Sequence, residues 1–275
     1  MTYLMSVILG FVQGVAEFLP ISSSGHLSLL QTWFGMEEPD NLFNVLLHFA
    51  TLIAVCVVYW RDILDMIIEF FRGVGSLFCR KGNSAPVPPA RRLVLMVILG
   101  TLPLAVILPI EDKVEALGAS NVFVGIALLV TGAILYVSDR MARGRKTART
   151  ATMTDALLVG CAQAVAVIPG LSRSGTTISA GMALGFDRSF AVRYSFLLSL
   201  PAVLGATLLK VLDVVKEGID PALLPKYLLG MVVAGVVGYF SIRLVNLLAQ
   251  KNKFGKFAYY CWAIGALAIA LEIFL

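Results

Sequence analysis

Two short polar stretches, each set inside an apolar part of the chain, contain most of the side chains that could do chemistry. The first runs from Gln13 to His26 and the second from Gln163 to Thr177. Each has a glutamine, an apolar helical segment, a proline and then Ser-x-Ser-Gly, in which Ser22, Ser24 and Gly25 match Ser172, Ser174 and Gly175. At membrane depth an irregular polar segment is tolerated only where it is buried in protein or lines a cavity. We therefore predict that the two stretches, called motif 1 and motif 2, face each other and form the functional site.

Glu17 and Arg173 are the two charged residues of these motifs. A charged side chain in an apolar segment is costly and is a functional hypothesis by default. Gln13 precedes Glu17 by four residues, so the two share one helix face; the alternative is a structural polar pair between helices. The guanidinium of Arg173 is a planar fork of donors that suits phosphate. The alternative for Arg173 is a salt bridge to Glu17, and both roles can hold at once.

Hydroxyl groups surround both charges. The run Ser22-Ser23-Ser24-Gly25 predicts a turn whose backbone N–H groups, with a helix that starts near His26, can bind an anion; the alternative is a helix cap with incidental serines. The predicted substrate-binding residues are Ser22, Ser24, Gly25, Ser172, Ser174, Gly175 and Thr177. His26 is a candidate acid, base or nucleophile, or else a hydrogen-bonded structural residue. His48 lies in a plain apolar span, and we predict a structural role for it.

This inventory of side chains favours phosphoryl chemistry. Arg173 and the helix N-termini would stabilise developing negative charge. The Glu17 carboxylate would hold a divalent cation of the kind that keeps several of its waters. A serine hydroxyl, an imidazole or a water would attack phosphorus. We favour Ser23 over His26 as the nucleophile, with Glu17 or His26 as the acceptor of its proton.

The composition of the chain is that of an integral membrane protein. Of its 275 residues 59% are hydrophobic and 14% are charged, whereas soluble domains are about 25% charged. The length suits one compact membrane domain, residues 1–275. The four cysteines are scattered, so we expect neither a disulfide nor a metal cluster. The net charge of +5 is explained by basic loops, so we expect no nucleic acid partner.

The distribution of lysine and arginine predicts the topology. The segments predicted to cross the membrane are Leu42–Trp60, Leu93–Ile110, Asn121–Ser138, Ser189–Leu209, Tyr227–Ala249 and Phe257–Leu275. Cytoplasmic loops carry the excess of Lys and Arg, which places loops 61–92, 139–154 and 250–256 inside. The acidic loops 31–40, with Glu37, Glu38 and Asp40, and 111–120, and the loop of mixed charge at 211–226, are then external.

These assignments predict an all-α fold with an inverted repeat. Six transmembrane helices leave each motif to enter and leave on one side, so residues 1–40 form a re-entrant hairpin from outside and residues 155–188 one from the cytoplasm. The first repeat covers about 1–110 and the second about 155–249, joined by a linking span at 121–138 and followed by a last span at 257–275. Transporters built this way bind substrate near the midplane, at discontinuous helices.

The two motifs resemble those of the bacterial undecaprenyl-diphosphate phosphatases of the bacitracin-resistance type. The residues that carry the resemblance are Gln13-x-x-x-Glu17-Phe18-Leu19-Pro20-Ile21-Ser22-Ser23-Ser24-Gly25-His26 and Pro169-Gly170-Leu171-Ser172-Arg173-Ser174-Gly175-Thr176-Thr177-Ile178-Ser179. The resemblance implies hydrolysis of a polyprenyl diphosphate lipid at the outer face of the bacterial inner membrane, and resistance to bacitracin. It also implies Mg²⁺ or Ca²⁺ at Glu17 and Gln13, where the Gln13 amide can coordinate only through its neutral oxygen.

Features of two other function classes also occur in the sequence. Ser24-Gly25-His26 and Ser172-Arg173 are similar to pieces of the type-2 phosphatidic acid phosphatases, but residues 174–186 lack the second histidine of that family. A transporter or flippase of a polyprenyl phosphate lipid also suits an inverted repeat, because a fold does not determine a function. The partners expected are the lipid substrate and membrane lipids, and the sequence leaves open whether copies of the chain form a homo-oligomer.

The topology can be tested at Arg145, in the basic loop at 139–154. In a chain whose native cysteines have been replaced, we expect Arg145→Cys to resist a membrane-impermeant maleimide added to intact cells, because the loop is predicted to be cytoplasmic. Labelling should appear once the membrane is permeabilised. Equal labelling before and after permeabilisation would contradict the predicted orientation.

Overall fold

The fold is built from α-helices. The computed structural model describes residues 1–35, 41–78, 87–217, 221–251 and 253–274. Within these ranges no strand forms, and a single parallel bridge joins Lys146 to Phe186. The helices are α1 (Tyr3–Ala16), α2 (Ser23–Trp33), α3 (Asn41–Val58), α4 (Trp60–Phe78), α5 (Pro89–Thr101), α6 (Glu111–Ala116), α7 (Asn121–Met141), α8 (Met153–Val165), α9 (Arg173–Ala183), α10 (Arg188–Glu217), α11 (Leu224–Gln250) and α12 (Phe257–Phe274). Short 3₁₀ helices occupy Leu102–Val106, Leu108–Ile110, Leu117–Ala119 and Phe254–Lys256.

Several of these helices are long and apolar enough to cross a membrane. Five segments of the described chain qualify by themselves, namely Pro89–Ile110, Asn121–Met141, Arg188–Leu208, Leu224–Gln250 and Phe254–Phe274. The pair Leu42–Val58 and Trp60–Ser76, bent by 84°, makes a sixth if it counts as one span. The prediction of an all-α integral membrane protein is confirmed. The number of crossings and the re-entrant course of the motif segments stay predictions, and Glu37, Glu38 and Asp40 lie outside the described residues.

The two motifs interrupt helices in the same way. α1 and α8 are shorter apolar helices, and each is followed by a turn and by a second short helix, α2 or α9. A proline commonly ends a helix, but α1 ends at Ala16, four residues before Pro20. The residues from Glu17 to Ser22 form a turn instead, with the Ile21 N–H donating to the Leu19 carbonyl at 2.7 Å. The break therefore begins at the buried carboxylate and not at the proline.

The two breaks pack against each other reciprocally. A Cβ placed on Gly25 of motif 1 would lie 3.1 Å from the Cα of Gly170 in motif 2. A Cβ placed on Gly175 of motif 2 would lie 3.1 Å from the Cβ of Pro20 in motif 1. The Ser174 hydroxyl also donates to the Leu19 carbonyl at 3.4 Å. These contacts confirm that the two polar stretches face each other, and the glycines permit the close backbone approach.

The segment after α3 differs from the prediction. Residues 61–92 were predicted to be a polar basic loop, but residues 60–78 form α4, while the tip from 79 to 86 lies outside the described residues. Asp62 pairs with Arg193, and Glu69 pairs with Arg72 at 2.9 Å and with Arg91 at 3.1 Å. The charges of α4 recur three or four residues apart, which places them on one helix face. The number of charges in this segment suggested a loop, whereas their spacing indicates a helix. Similarly, α10 extends to Glu217, into the loop predicted at 211–226.

The contact between the motifs can be tested at Gly170. Its φ is +91°, and a Cβ there would lie 2.7 Å from the Cβ of Ala127. We expect Gly170→Ala to lower the thermal unfolding midpoint in detergent by roughly 5 °C or more, because it combines backbone strain with overpacking.

The matched control is Gly75→Ala in α4, where an added Cβ meets nothing within 4 Å. This change should leave the midpoint unchanged or raise it slightly, since alanine favours helix. Equal midpoints for the two variants would show that the close approach at Gly170 is unimportant.

Candidate active site

A cavity of about 720 Å³ opens between the two motifs. Its polar end is lined by Glu17, Ser23 and Ser24 of motif 1, by Ser172, Arg173 and Ser174 of motif 2, and by His48 of α3. Much of the remaining wall is apolar and comes from side chains within residues 97–108 and 201–207. The cavity therefore has a charged, hydroxyl-rich end and a long apolar side, which is the shape that an amphipathic ligand requires.

Glu17 is the centre of the polar end. Its side chain is 4% exposed, and its Oε1 pairs with Arg173 Nη2. Its Oε2 accepts hydrogen bonds from the Ser23 hydroxyl at 2.7 Å and from Gln13 Nε2 at 3.0 Å. The salt bridge to Glu17, which the sequence analysis gave as the alternative role of Arg173, is present. One carboxylate thus joins the two motifs, through one oxygen on each side.

Arg173 is held at the first position of α9. The hydroxyl of Thr177 donates to the Arg173 carbonyl at 2.8 Å and lies 2.6 Å from the hydroxyl of Ser195. The Nη1 atom of Arg173 is buried and has no hydrogen-bond partner among the described residues. A buried guanidinium nitrogen without a partner is unfavourable, so this donor has an unmet requirement for an acceptor.

The first serine of each Ser-x-Ser-Gly sequence caps the helix that follows it. Ser22 caps α2, with its Oγ accepting from the Gly25 N–H at 3.3 Å, and Ser172 caps α9, with its Oγ accepting from the Gly175 N–H at 3.1 Å. Ser22, Gly25, Gly175 and Thr177 do not line the cavity, whereas Ser24, Ser172 and Ser174 do. Three of the predicted binding residues therefore face the cavity, and one of these, Ser172, also caps a helix. Both helix N-termini, which carry partial positive charge, lie at the cavity wall.

His26 lies beside the site and does not line the cavity. Its Nδ1 lies 2.8 Å from the Ser22 carbonyl oxygen, and its Nε2 lies 2.9 Å from the hydroxyl of Tyr260. The two rings also stack, with centroids 5.6 Å apart. Both ring nitrogens are therefore engaged with the protein, and a direct catalytic role for His26 stays a prediction.

His48 is the histidine that reaches the cavity. Its Nδ1 lies 3.1 Å from Glu17 Oε2 and 2.9 Å from Gln13 Nε2. The prediction that His48 has only a structural role in a plain span missed this position. The distance in sequence hid the contact, although an ionisable residue in an apolar span was itself a signal.

Thr131 of α7 is a second residue that the motifs did not predict. Its Oγ1 donates to the Gly170 carbonyl at 3.1 Å and accepts from the Ser172 N–H at 3.1 Å. One hydroxyl therefore satisfies two backbone groups of the motif 2 turn. A threonine in an apolar span gives no sequence signal that distinguishes this role from ordinary packing.

The donor set fits a divalent cation that is shared with a ligand. The described residues contain no group of three His, Cys, Asp or Glu side chains that could hold a metal by themselves. The Oε1 atom of Gln13, however, is buried without a hydrogen-bond partner next to the Glu17 carboxylate. One carboxylate and one amide oxygen suit an ion such as Mg²⁺, which keeps waters and takes further oxygens from phosphate.

Comparison with known proteins extends over nearly the whole chain. The family model described as bacitracin resistance protein BacA matches residues 6–267. A protein of Methanosphaera stadtmanae named undecaprenyl-diphosphatase is 40% identical over 99% of each chain. Proteins of the same name from Halothermothrix orenii and Carboxydothermus hydrogenoformans are 39% and 38% identical, covering at least 96% of each chain.

The buried ion pair makes a prediction about stability. Breaking a buried pair by removing one partner costs about 3–5 kcal/mol, because an uncompensated charge remains. We therefore expect Arg173→Leu to lower the free energy of unfolding by about that amount, and Arg173→Leu combined with Glu17→Gln to recover most of it. Unfolding in detergent measures both variants, and a double variant no more stable than Arg173→Leu would contradict the pairing.

Proposed function

The chain belongs to the bacitracin resistance protein BacA family, and we propose that the cavity between its two motifs is where its reaction takes place. That reaction is the hydrolysis of undecaprenyl diphosphate to undecaprenyl phosphate and inorganic phosphate, which recycles the lipid carrier for peptidoglycan synthesis and confers resistance to bacitracin. The alternative, a transporter or flippase of a polyprenyl phosphate, is not favoured, because the relatives are named as diphosphatases.

The assignment of the site rests on the Glu17–Arg173 ion pair, which lies at the polar end of a mostly apolar cavity. The Ser23 hydroxyl is hydrogen-bonded to Glu17 in this pair. The substrate has the same division, a diphosphate at one end of a long hydrocarbon chain. The diphosphate lies against Arg173 and the serines, and the prenyl chain lies along residues 97–108 and 201–207. This arrangement buries apolar surface while it leaves the charged group among donors.

The diphosphate is bound by donors from both motifs. Arg173 offers Nη1, which has no partner in the described chain, and a guanidinium can grip two phosphate oxygens at once. The N-termini of α2 and α9 add partial positive charge from two directions. Charge that develops on the phosphoryl oxygens during transfer is therefore met by fixed donors from opposite halves of the chain.

Ser23 acts as the nucleophile and Glu17 as its base. The hydroxyl of Ser23 donates to Glu17 Oε2 at 2.7 Å, so its proton already points at the acceptor. Ser23 Oγ attacks the terminal phosphorus, the bond from that phosphorus to the bridging oxygen breaks, and undecaprenyl phosphate leaves. Water then attacks the phosphorus of the Ser23 phosphoester, the bond from phosphorus to Ser23 Oγ breaks, and Glu17 returns to Ser23 Oγ the proton it had accepted. Inorganic phosphate leaves with the oxygen and the protons of that water. Direct attack by water and attack by His26 are the alternatives, and the engagement of both His26 nitrogens favours Ser23 over that histidine.

Mg²⁺ or Ca²⁺ is the proposed cofactor. Glu17 and Gln13 are the residues that would hold it, with phosphate oxygens and waters as its other ligands. When bound, the cation supplies charge neutralisation at the diphosphate oxygens.

We place the protein in the bacterial inner membrane as a multi-pass protein whose site opens to the external side. The apolar helices support the multi-pass assignment. The external orientation is supported by the excess of lysine and arginine in the segments 61–92, 139–154 and 250–256. The partners of the site are the polyprenyl diphosphate and the membrane lipids around it.

The role of Arg173 can be tested with Arg173→Lys. This change keeps the positive charge beside Glu17 but replaces a two-pronged donor by a point charge. We expect phosphate release from farnesyl diphosphate by the purified variant in detergent to fall roughly 10²- to 10³-fold, as for the loss of an oxyanion donor. The parent protein, assayed in the same detergent, should release phosphate without a membrane to cross.

Thermal unfolding of the lysine variant provides the control, since the retained charge should preserve the fold. A folded variant with activity close to that of the parent would show that Arg173 serves the fold through charge alone. A parent protein that binds the lipid but releases no phosphate would contradict hydrolysis itself.

A further inference from the structure

His48 contacts the catalytic carboxylate from a helix that belongs to neither motif. It lies in α3, which packs against α1, α10 and α11. Its side chain is 31% exposed, against 4% for Glu17, and it lines the cavity. Its Nδ1 lies within hydrogen-bond distance of both Glu17 Oε2 and Gln13 Nε2, at 3.1 and 2.9 Å. Neither motif includes His48, and the reaction steps above do not use it.

The contacts of Glu17 are divided unequally between its two oxygens. Oε2 is contacted by Ser23, Gln13 and His48, while Oε1 pairs with Arg173 through Nη2. Arginine and carboxylate commonly form a two-pronged pair through two parallel hydrogen bonds. Here the second prong, Arg173 Nη1, is buried and has no partner among the described residues. The ion pair in this structure is therefore single-pronged.

We propose that His48 is a positioning residue that, together with Gln13, holds Glu17 in the orientation needed for catalysis. His48 Nδ1–H and Gln13 Nε2–H both donate to Oε2, so Nδ1 carries a proton and accepts nothing from Gln13. These two donors bracket Oε2, which fixes this oxygen on Ser23 and keeps it from turning to Arg173. The bracket preserves two things at once, namely the acceptor for the Ser23 proton and the free Nη1 for the diphosphate. This inference rests on the proposed function, because it concerns the same carboxylate.

His48 is the member of the bracket that a substitution can test cleanly. Gln13 is fully buried, so changing it also changes packing, whereas His48 borders the cavity. The Nδ1 atom of histidine is matched in position by the amide of asparagine, whereas the amide of glutamine lies one bond further out. His48→Asn therefore keeps a polar atom where Nδ1 stands, and His48→Leu removes it with little change in volume. Histidine and asparagine also have similar helix propensities.

The first experiment is a double-mutant cycle on the kcat for phosphate release from farnesyl diphosphate in detergent. We expect His48→Leu to reduce kcat roughly 10- to 100-fold, the range of couplings between residues in contact, and His48→Asn to stay within about fivefold of the parent, as expected of a retained contact. In the Glu17→Gln background, adding His48→Leu should reduce kcat by less than about a further threefold, because the effects of substitutions in residues that act as a unit are not additive.

The matched control is Thr51→Val, on the next turn of α3. Thr51 is buried and its hydroxyl donates to the His48 carbonyl at 2.8 Å, so the change disturbs the same helix without removing a contact to Glu17. Its kcat should lie within about threefold of the parent, because its side chain contacts no catalytic group. A loss as large as that of His48→Leu would show that α3 acts through packing and would overturn the proposal.

Two outcomes of the cycle would contradict a positioning role for His48. Full activity of His48→Leu, or equal losses with and without Glu17, would overturn the positioning role. If His48→Leu does not fold, His48→Asn and His48→Gln replace it, and the proposal requires asparagine to retain more activity than glutamine. These failures differ from failure of the proposed function, in which the parent itself would release no phosphate.

A spectroscopic measurement tests the contact without activity. The chain contains two histidines, so ¹⁵N-histidine labelling gives two imidazoles, which His26→Gln assigns. Glu17→Gln should shift the Nδ1 resonance of His48 and leave that of His26 unchanged, because only His48 contacts the carboxylate. Unchanged His48 resonances would overturn the proposal.

Discussion

The ion pair between the buried Glu17 and the partly exposed Arg173 is the constraint on which the rest of the structure depends. The two residues belong to different halves of the chain, and each follows the end of a short apolar helix. A carboxylate and a guanidinium are both unfavourable in an apolar interior, so each requires the other. Their pairing requires both helices to stop at the same depth and face each other. The serine caps of α2 and α9, and the approach of Gly25 to Gly170, are the local means by which this is achieved.

The surroundings of the pair explain why the site suits a charged lipid. Protein donors surround one Glu17 oxygen, while one Arg173 nitrogen has no partner in the described chain. One hydrogen-bonded contact of the ion pair joins the two motifs, while the second terminal nitrogen of Arg173 is left without an acceptor. In the proposed function a phosphate oxygen is that acceptor. The apolar wall next to the ion pair suits a hydrocarbon chain, and a low local dielectric strengthens electrostatic interactions at the polar end. The same low dielectric that makes the pair costly therefore makes it useful.

The sequence predicted the parts of this account that depend on local pattern. Two polar breaks with matching Ser-x-Ser-Gly sequences predicted both motifs, and the rarity of charge at membrane depth selected Glu17 and Arg173. The only sequence signal for His48 was an ionisable side chain in an apolar span, and Thr131 gave none, because the contacts of both residues with the site arise from helix packing. The prediction of a loop at α4 was wrong, because it was based on the number of charged residues there and not on their helical spacing. His26 lay close to the serines in sequence, yet the turn at Ser22 directs its ring toward Tyr260.

The most direct test of the central claim is a structure with a non-hydrolysable polyprenyl diphosphonate bound. The account predicts that the terminal phosphonate lies in the cavity between the motifs, with its oxygens within hydrogen-bond distance of the Arg173 guanidinium and its phosphorus facing Ser23 Oγ. The prenyl chain should follow residues 97–108 and 201–207. A diphosphonate bound elsewhere, with Glu17 and Arg173 still paired and Arg173 Nη1 still without a partner, would contradict it.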